Sequence, residues 1–125
     1  MLPEKIQKDS DSLNEKNDCA VKAVAIVANH PYKCTHRLFE AAGRKSKKGT
    51  AFYITKKVLR SLGCHIKQTK QFDARTVRTL EKQLPAEGRF LIRTSNHILA
   101  VIDGKIIDWT KGRLHRICHI YEVSL

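Results

Sequence analysis

Residues 95–109, SNHILAVIDGKIIDW, carry the clearest structural signal in the chain. Two apolar runs flank Asp103-Gly104, a dipeptide that favours the two-residue type I′ turn of a β-hairpin. Such a turn pairs Ile102 with Lys105, and counting outward from that pair places Asp108 opposite Leu99. The stretch therefore predicts an antiparallel hairpin together with its register.

This register brings two polar side chains together at the open end of the hairpin. His97 and Leu99 point to the same face of their strand, and Asp108 lies on that face as the partner of Leu99. Asp108 is thus a diagonal neighbour of His97, close enough for its carboxylate to hydrogen-bond the imidazole and set its tautomer. The alternative interpretation is a histidine that happens to end a strand and an aspartate that begins a turn.

The segments around the hairpin predict an α+β domain. Alternating strands follow residue 88, as RFLIRT (89–94) and RICHIYEV (116–123), whereas helical periodicity dominates before it. The first predicted helix begins at residue 18 and ends at the NHPY of residues 29–32. Three more helices are predicted over 31–42, over 51–62 with Thr50 as the cap, and over 73–85. A short strand is predicted at 65–68. We expect the helices to pack on one face of the antiparallel sheet.

The length of the chain favours a single domain. With 125 residues, of which 42% are hydrophobic, the protein can bury one modest core. Residues 1–12 are charged and poor in large apolar groups, so we predict a mobile lead-in there and one domain over residues 13–125.

A cysteine stands at the start of the first long predicted helix. In NEKNDCAVKAVAIVANH, residues 14–30, Asn17 or Asp18 is a suitable helix cap and Cys19 falls in the first turn. The positive end of the helix dipole and the unpaired backbone N–H groups there favour thiolate over thiol, which is one property of a nucleophile. Cysteines on apolar helices also serve simply as packing residues, and that alternative stays open for Cys19 alone.

The remaining cysteines predict no special chemistry. Cys34, Cys64 and Cys118 each have a histidine beside them or two residues away, but no pair shows the C-x-x-C spacing of a zinc site. We interpret all four cysteines as free thiols, mostly buried as small apolar residues, and predict no metal and no other cofactor; a zinc-stabilised domain is the alternative.

The net charge of +12 points to anionic partners. Nucleic acid and acidic protein surfaces would both be attracted by this field. The densest basic run, residues 44–48 between two predicted helices, lacks the interleaved aromatic residues of a single-strand binder, so a solvated loop is favoured over a dedicated nucleic-acid site. No stretch is long and apolar enough for a membrane span, so we expect a soluble, cytoplasmic protein without a membrane partner.

Taken together, the order of these residues resembles that of the papain-like cysteine peptidases. The resemblance is carried by NDCA (17–20), NHILAVIDG (96–104) and IIDW (106–109), which present a helix-start cysteine, then a histidine, then an acid. Compact bacteriocin-processing peptidases are similar in the acid before the cysteine and the closely spaced histidine and aspartate. Ubiquitin-specific proteases are similar in LNEKNDC, where asparagines precede the cysteine by five and two residues.

What the resemblance implies is acyl-transfer chemistry on a peptide or protein substrate. Cys19, His97 and Asp108 would form a catalytic triad, and Asn14, with Asn17 as competitor, would complete the oxyanion hole. The chain lacks the glutamine that papain has before its cysteine, and it is much shorter than a ubiquitin protease. The alternative is a catalytically silent, basic binding module for nucleic acid or an acidic protein. Small size and high charge are also typical of accessory proteins of viruses, phages and mobile elements.

Overall fold

The computed structural model describes residues 3–125 and shows an α+β fold. Five helices and five strands lie in this part of the chain: α1 (Glu4–Ser12), α2 (Cys19–Val27), α3 (Tyr32–Ala41), α4 (Phe52–Ser61), β1 (His65–Thr69), α5 (Val77–Glu81), β2 (Arg89–Thr94), β3 (Ile98–Ile102), β4 (Lys105–Ile107) and β5 (Ile117–Ser124). The predicted fold class is confirmed, and every predicted strand is present within two residues of its expected bounds.

The strands form one sheet in the order β1-β5-β2-β3-β4, with each neighbouring pair antiparallel. The β3–β4 hairpin has the predicted register, since Ile102 pairs with Lys105 and Val101 with Ile106. Asp103 and Gly104 have φ angles of 48° and 80°, the left-handed values that both central residues of a type I′ turn require. The geometry of this turn therefore determines which residues of β3 and β4 are paired, including those at the open end of the hairpin.

Apolar side chains cover both faces of the sheet. On one face Leu91, Ala100 and Tyr121 belong to a core with α2, α3 and α4. On the other face alternate residues such as Ile92 and Leu99 form a smaller core. Val77 and Leu80 of α5 close that second core. The prediction that all helices lie on one face is thus wrong for α5, because the strands are apolar on both sides and the second face also needs cover.

Helix α5 is much shorter than the predicted 73–85. Thr76 caps it by accepting a hydrogen bond from the Thr79 N–H at 3.2 Å. The chain before it is held extended, because Arg75 accepts from the Ile117 N–H at 2.8 Å and Thr76 forms a β-bridge with Arg116. These long-range backbone bonds outweigh the local helical periodicity of residues 73–75.

The segment predicted as a mobile lead-in differs in the structure. Residues 4–12 form α1, and its partly buried Ile6 packs on the main core. Ser10 is buried and donates a hydrogen bond to Asp18 at 2.7 Å. These contacts connect α1 to the start of α2, although its composition is polar. Met1 and Leu2, the first two residues of the predicted lead-in, lie outside the described residues.

None of the helices within residues 3–125 has the length and hydropathy needed to cross a membrane.

Candidate active site

Cys19 is the first residue of α2, where the predicted nucleophile was expected. Asp18 occupies the N-cap position but makes no capping hydrogen bond with its side chain. Its buried carboxylate instead accepts hydrogen bonds from Ser10 and Tyr32, both at 2.7 Å, and pairs with Lys22 at 3.5 Å. The first-turn N–H groups of α2 are therefore left uncapped beside the thiol.

The surroundings of Cys19 favour its thiolate form. Burial alone would raise the pKa of this thiol, but a hydrogen bond with His97, the backbone N–H groups of Ile98 and Ala20, and the charge of His97 together lower the pKa below its usual value. Because Ile98 begins β3, the sulfur lies where the start of α2 meets the sheet. Docking of α2 on β3 thus creates the thiol environment.

His97 and Asp108 are hydrogen-bonded, as the hairpin register predicts. His97 Nε2 lies 2.8 Å from Asp108 Oδ2, and only 12% of the His97 side chain is exposed. Thr110 donates to the same carboxylate oxygen through its hydroxyl at 2.6 Å and its backbone N–H at 3.1 Å. With Nε2 engaged by Asp108, His97 Nδ1 is the ring nitrogen that remains for Cys19.

Charge coupling stabilises the protonated form of His97. Burial opposes the charge, but hydrogen bonds and attraction to Asp108 and Cys19 prevail and raise the pKa of His97 to about 9. The pKa of Asp108 is correspondingly lowered, because the bonds from His97 and Thr110 outweigh its burial. At neutral pH the site therefore holds an imidazolium beside a carboxylate, and that imidazolium favours the thiolate form of Cys19.

We expect the Asp108→Asn variant to titrate His97 at lower pH. The amide removes the negative charge that raises the pKa of His97, so the midpoint should move down from about 9. The measurement is the pH dependence of the His97 imidazole signal by NMR, assigned with the His97→Ala variant. An unchanged midpoint would show that Asp108 does not govern this imidazole.

The three groups line one cleft of about 880 Å³. Of the two asparagines predicted for the oxyanion hole, Asn17 lines this cleft and donates through Nδ2 to the Lys47 carbonyl at 3.2 Å. Asn14 does not line it; it is exposed, with a φ of 53°, in the turn that ends α1. Because Asn14 lies in this turn outside the cleft, its predicted role fails, and Asn17 is the one of the two asparagines that lines the cleft.

Trp109 forms part of the cleft wall beside the imidazole. Its ring centroid lies 5.1 Å from that of His97 and 5.2 Å from that of His115, while 52% of the residue is exposed. Trp109 is therefore not a core residue, and its position shields the His97–Asp108 pair. The same exposed ring is also accessible to a ligand in the cleft.

The structure contains a buried polar cluster around Glu15 that no sequence pattern predicted. The Glu15 side chain is completely buried and contacts His36, the Arg44 guanidinium at 2.9 and 3.2 Å, and the Lys47 backbone N–H at 2.8 Å. Arg44 is also completely buried. This cluster attaches the basic loop, residues 44–48, to the segment that leads into α2. In the sequence this cluster is marked only by Glu15 and by the distant basic run at 44–48, and neither has a recognisable spacing.

The four cysteines are free thiols, but their burial differs from the prediction. Cys64 is buried, Cys19 and Cys34 are partly buried, and Cys118 is exposed on the last strand. Within residues 3–125 no three His, Cys, Asp or Glu side chains are grouped so that they could hold a metal ion.

Comparison with known proteins returns no relative. No family model matches the chain, and neither a curated protein nor a solved structure matches it.

Proposed function

We propose that this protein is a cysteine peptidase or a related thiol acyl-transfer hydrolase with a papain-like arrangement of Cys19, His97 and Asp108. The observation that carries the proposal is that Cys19, at the start of α2, lines the same open cleft as the hydrogen-bonded His97–Asp108 pair, with the thiol and the imidazole close enough for each to shift the pKa of the other. Nucleophile, general base and orienting acid are the three groups that thiol acyl transfer uses.

In the proposed reaction the Cys19 thiolate attacks an amide, isopeptide or thioester carbonyl. The sulfur–carbon bond forms as the carbonyl π pair moves to oxygen, and collapse of this tetrahedral intermediate expels the leaving group. An amine leaving group takes the proton from the His97 imidazolium. The now neutral imidazole then removes a proton from water, whose oxygen attacks the thioester, and release of the acid regenerates the thiolate–imidazolium pair.

The oxyanion of the intermediate would be stabilised at the start of α2. The backbone N–H of Cys19 is in the uncapped first turn, and Asn17 lies in the same cleft. The Asn17 amide has two hydrogens, of which the Lys47 carbonyl takes one. That bond orients the amide and leaves the second hydrogen for the substrate oxygen, a role that typically contributes about 10²-fold or more to the rate.

Selective alkylation tests the proposal. At pH 6 we expect iodoacetamide to label Cys19 about 30- to 100-fold faster in the native protein than in His97→Ala, because an ordinary thiol with a pKa of about 8.5 is less than about 1% thiolate at that pH. The measurement is the rate of adduct formation at each cysteine, determined by peptide mass spectrometry.

Cys118 serves as the internal control for this experiment. It is exposed and has access to the reagent, so its labelling should be slow in both proteins. Equal, slow labelling of Cys19 and Cys118 in the native protein would contradict the proposal.

The alternative, a silent binding module for nucleic acid or an acidic protein, is favoured only by the net charge of +12. It predicts tight, salt-sensitive binding that survives Cys19→Ala in a protein without hydrolytic activity.

A further inference from the structure

The catalytic cleft contains an arginine without an acidic partner. Arg93, at the end of β2, lines the cleft, and among residues 3–125 no carboxylate forms an ion pair or hydrogen bond with it. The cleft's two acids are already engaged. Asp18 is bonded to Ser10, Tyr32 and Lys22, and Asp108 is bonded to His97 and Thr110. The Arg93 charge is therefore uncompensated within the site.

An aromatic ring supports the Arg93 guanidinium. Its central carbon lies 4.2 Å from the centroid of the Phe52 ring, which in turn packs on Tyr121 at 4.7 Å. Lys56 Nζ is 5.4 Å from the Phe52 centroid, and it too lacks an ion-pair partner among the described residues. Stacking on an aromatic face limits the motion of a guanidinium but leaves its N–H donors unsatisfied. Two cations thus converge on one ring without an anion between them.

Arg93 is close to the reacting sulfur through the sheet register. It pairs directly with Ile98 of β3, so the two residues share a face of the sheet. Ile98 lines the cleft together with Arg93 and Cys19, and its backbone N–H is among the groups that lower the pKa of Cys19. A group bound by Arg93 therefore lies beside the position of an attacked carbonyl.

We propose that Arg93 is a specificity residue that binds the carboxylate of an aspartate or glutamate flanking the scissile bond of a peptide substrate. This inference rests on the proposed thiol acyl-transfer function and names its substrate class. A guanidinium with free, planar donors is suited to bidentate binding of a carboxylate. An acidic peptide is favoured over nucleic acid because the carbonyl-directed nucleophile shares the cleft, and because the basic loop offers no aromatic platform for bases.

The first test compares two reagents that differ by one carboxylate. Iodoacetate and iodoacetamide both transfer a carbon to the Cys19 sulfur with loss of iodide, but only iodoacetate has a negative charge for Arg93 to bind. We expect Arg93→Gln to lower the ratio of the iodoacetate rate to the iodoacetamide rate at Cys19 by about tenfold, the size expected for one charge-assisted hydrogen bond. Arg93→Lys should retain part of the preference.

Arg60→Gln is the matched control, because it removes the same charge from an exposed position on α4 that does not line the cleft. It should leave the ratio unchanged. The iodoacetamide rate separates the two hypotheses. If it is slow at Cys19 in the native protein, the proposed function fails. If it is fast but the ratio is the same in Arg93→Gln and native protein, the Arg93 inference is overturned.

The second test maps cleavage sites in a peptide library by mass spectrometry. We expect Asp and Glu to be enriched beside the cleaved bond, the enrichment to disappear in Arg93→Gln, and Arg93→Glu to favour Lys and Arg there. Cleavage without acidic enrichment would overturn the inference. So would protection of Cys19 from iodoacetamide by a single-stranded oligonucleotide but not by a glutamate-rich peptide, since the cleft would then bind nucleic acid.

Discussion

Turnover of a peptide thioester or peptide substrate is expected to fall by about 10⁴- to 10⁶-fold when His97 is replaced by alanine, the range seen when one member of a catalytic triad is removed. In the proposed mechanism His97 pairs with the thiolate of Cys19, protonates the leaving amine and activates water, so the variant would lose the proton carrier of all three steps. The measurement is kcat/KM from the thiol or amine released, at pH 7 and at higher pH.

Two controls make this result specific. His65→Ala removes an exposed histidine on the edge strand β1, outside the cleft, and should leave kcat/KM unchanged. Combining His97→Ala with Cys19→Ala should reduce turnover no further than either change alone, because the two groups act as a unit. Additive losses, or His97→Ala activity within about tenfold of the native value, would contradict a Cys19–His97 mechanism.

A comparably large effect is expected on stability when the buried Glu15–Arg44 pair is broken. Both side chains are completely buried, and Arg44 Nη1 donates to Glu15 at 2.9 Å. Replacing Arg44 with methionine keeps most of the volume but leaves the Glu15 carboxylate without its main charged partner. We expect the free energy of unfolding to fall by about 3–5 kcal/mol, measured by urea denaturation at pH 7.

The pair also gives stability a predictable pH dependence. Burial would raise the pKa of Glu15, but hydrogen bonds from Arg44, His36 and the Lys47 N–H hold it well below its usual range. A carboxylate with a depressed folded-state pKa stabilises the fold above its unfolded pKa of about 4.3, and this contribution is lost as the pH falls further. The native protein should therefore lose stability below about pH 4 more steeply than Arg44→Met.

The exposed ion pair of Glu4 and Lys8 provides the control for the stability loss expected of Arg44→Met. Their side chains are 83% and 74% exposed at 3.4 Å separation. Breaking that pair with Glu4→Gln should change the free energy of unfolding by less than about 0.5 kcal/mol. If Arg44→Met proved equally mild, the Glu15 cluster would not be what secures the basic loop to the core.

The predictable part of the structure depends on short-range rules. Asp103-Gly104 allows few turn geometries, so the turn determines the first residue pair of the hairpin. Because side chains alternate along a strand, this first pair also determines every later pair and the face on which each side chain lies. The contact between His97 and Asp108 follows from these two facts, so it could be predicted from the sequence. The position of Cys19 at the start of a helix could be predicted for a similar reason, since capping residues and an apolar run mark where a helix begins.

The unpredicted part depends on contacts between distant segments. The sequence predicts Asp18 as a helix cap. Its carboxylate instead accepts hydrogen bonds from Ser10 and Tyr32, which are far apart in the chain. Helix α5 is shortened by backbone pairing with residues near β5. The burial of Glu15 with Arg44, and the stacking of Arg93 on Phe52, likewise join segments that no local pattern relates. Asn14 was misplaced because the turn after α1 was not foreseen.

The hairpin has a consequence for how the site assembles during folding. His97 and Asp108 are close in sequence and are joined by a tight turn, so this pair can form as soon as β3 and β4 meet. Cys19 reaches them only when α2 docks from the opposite end of the chain. An intermediate that lacks this docking would retain the imidazole–carboxylate pair yet have an unactivated thiol. The nucleophilicity proposed for Cys19 would thus report completed tertiary structure, and it could be followed during refolding without any added label on the protein.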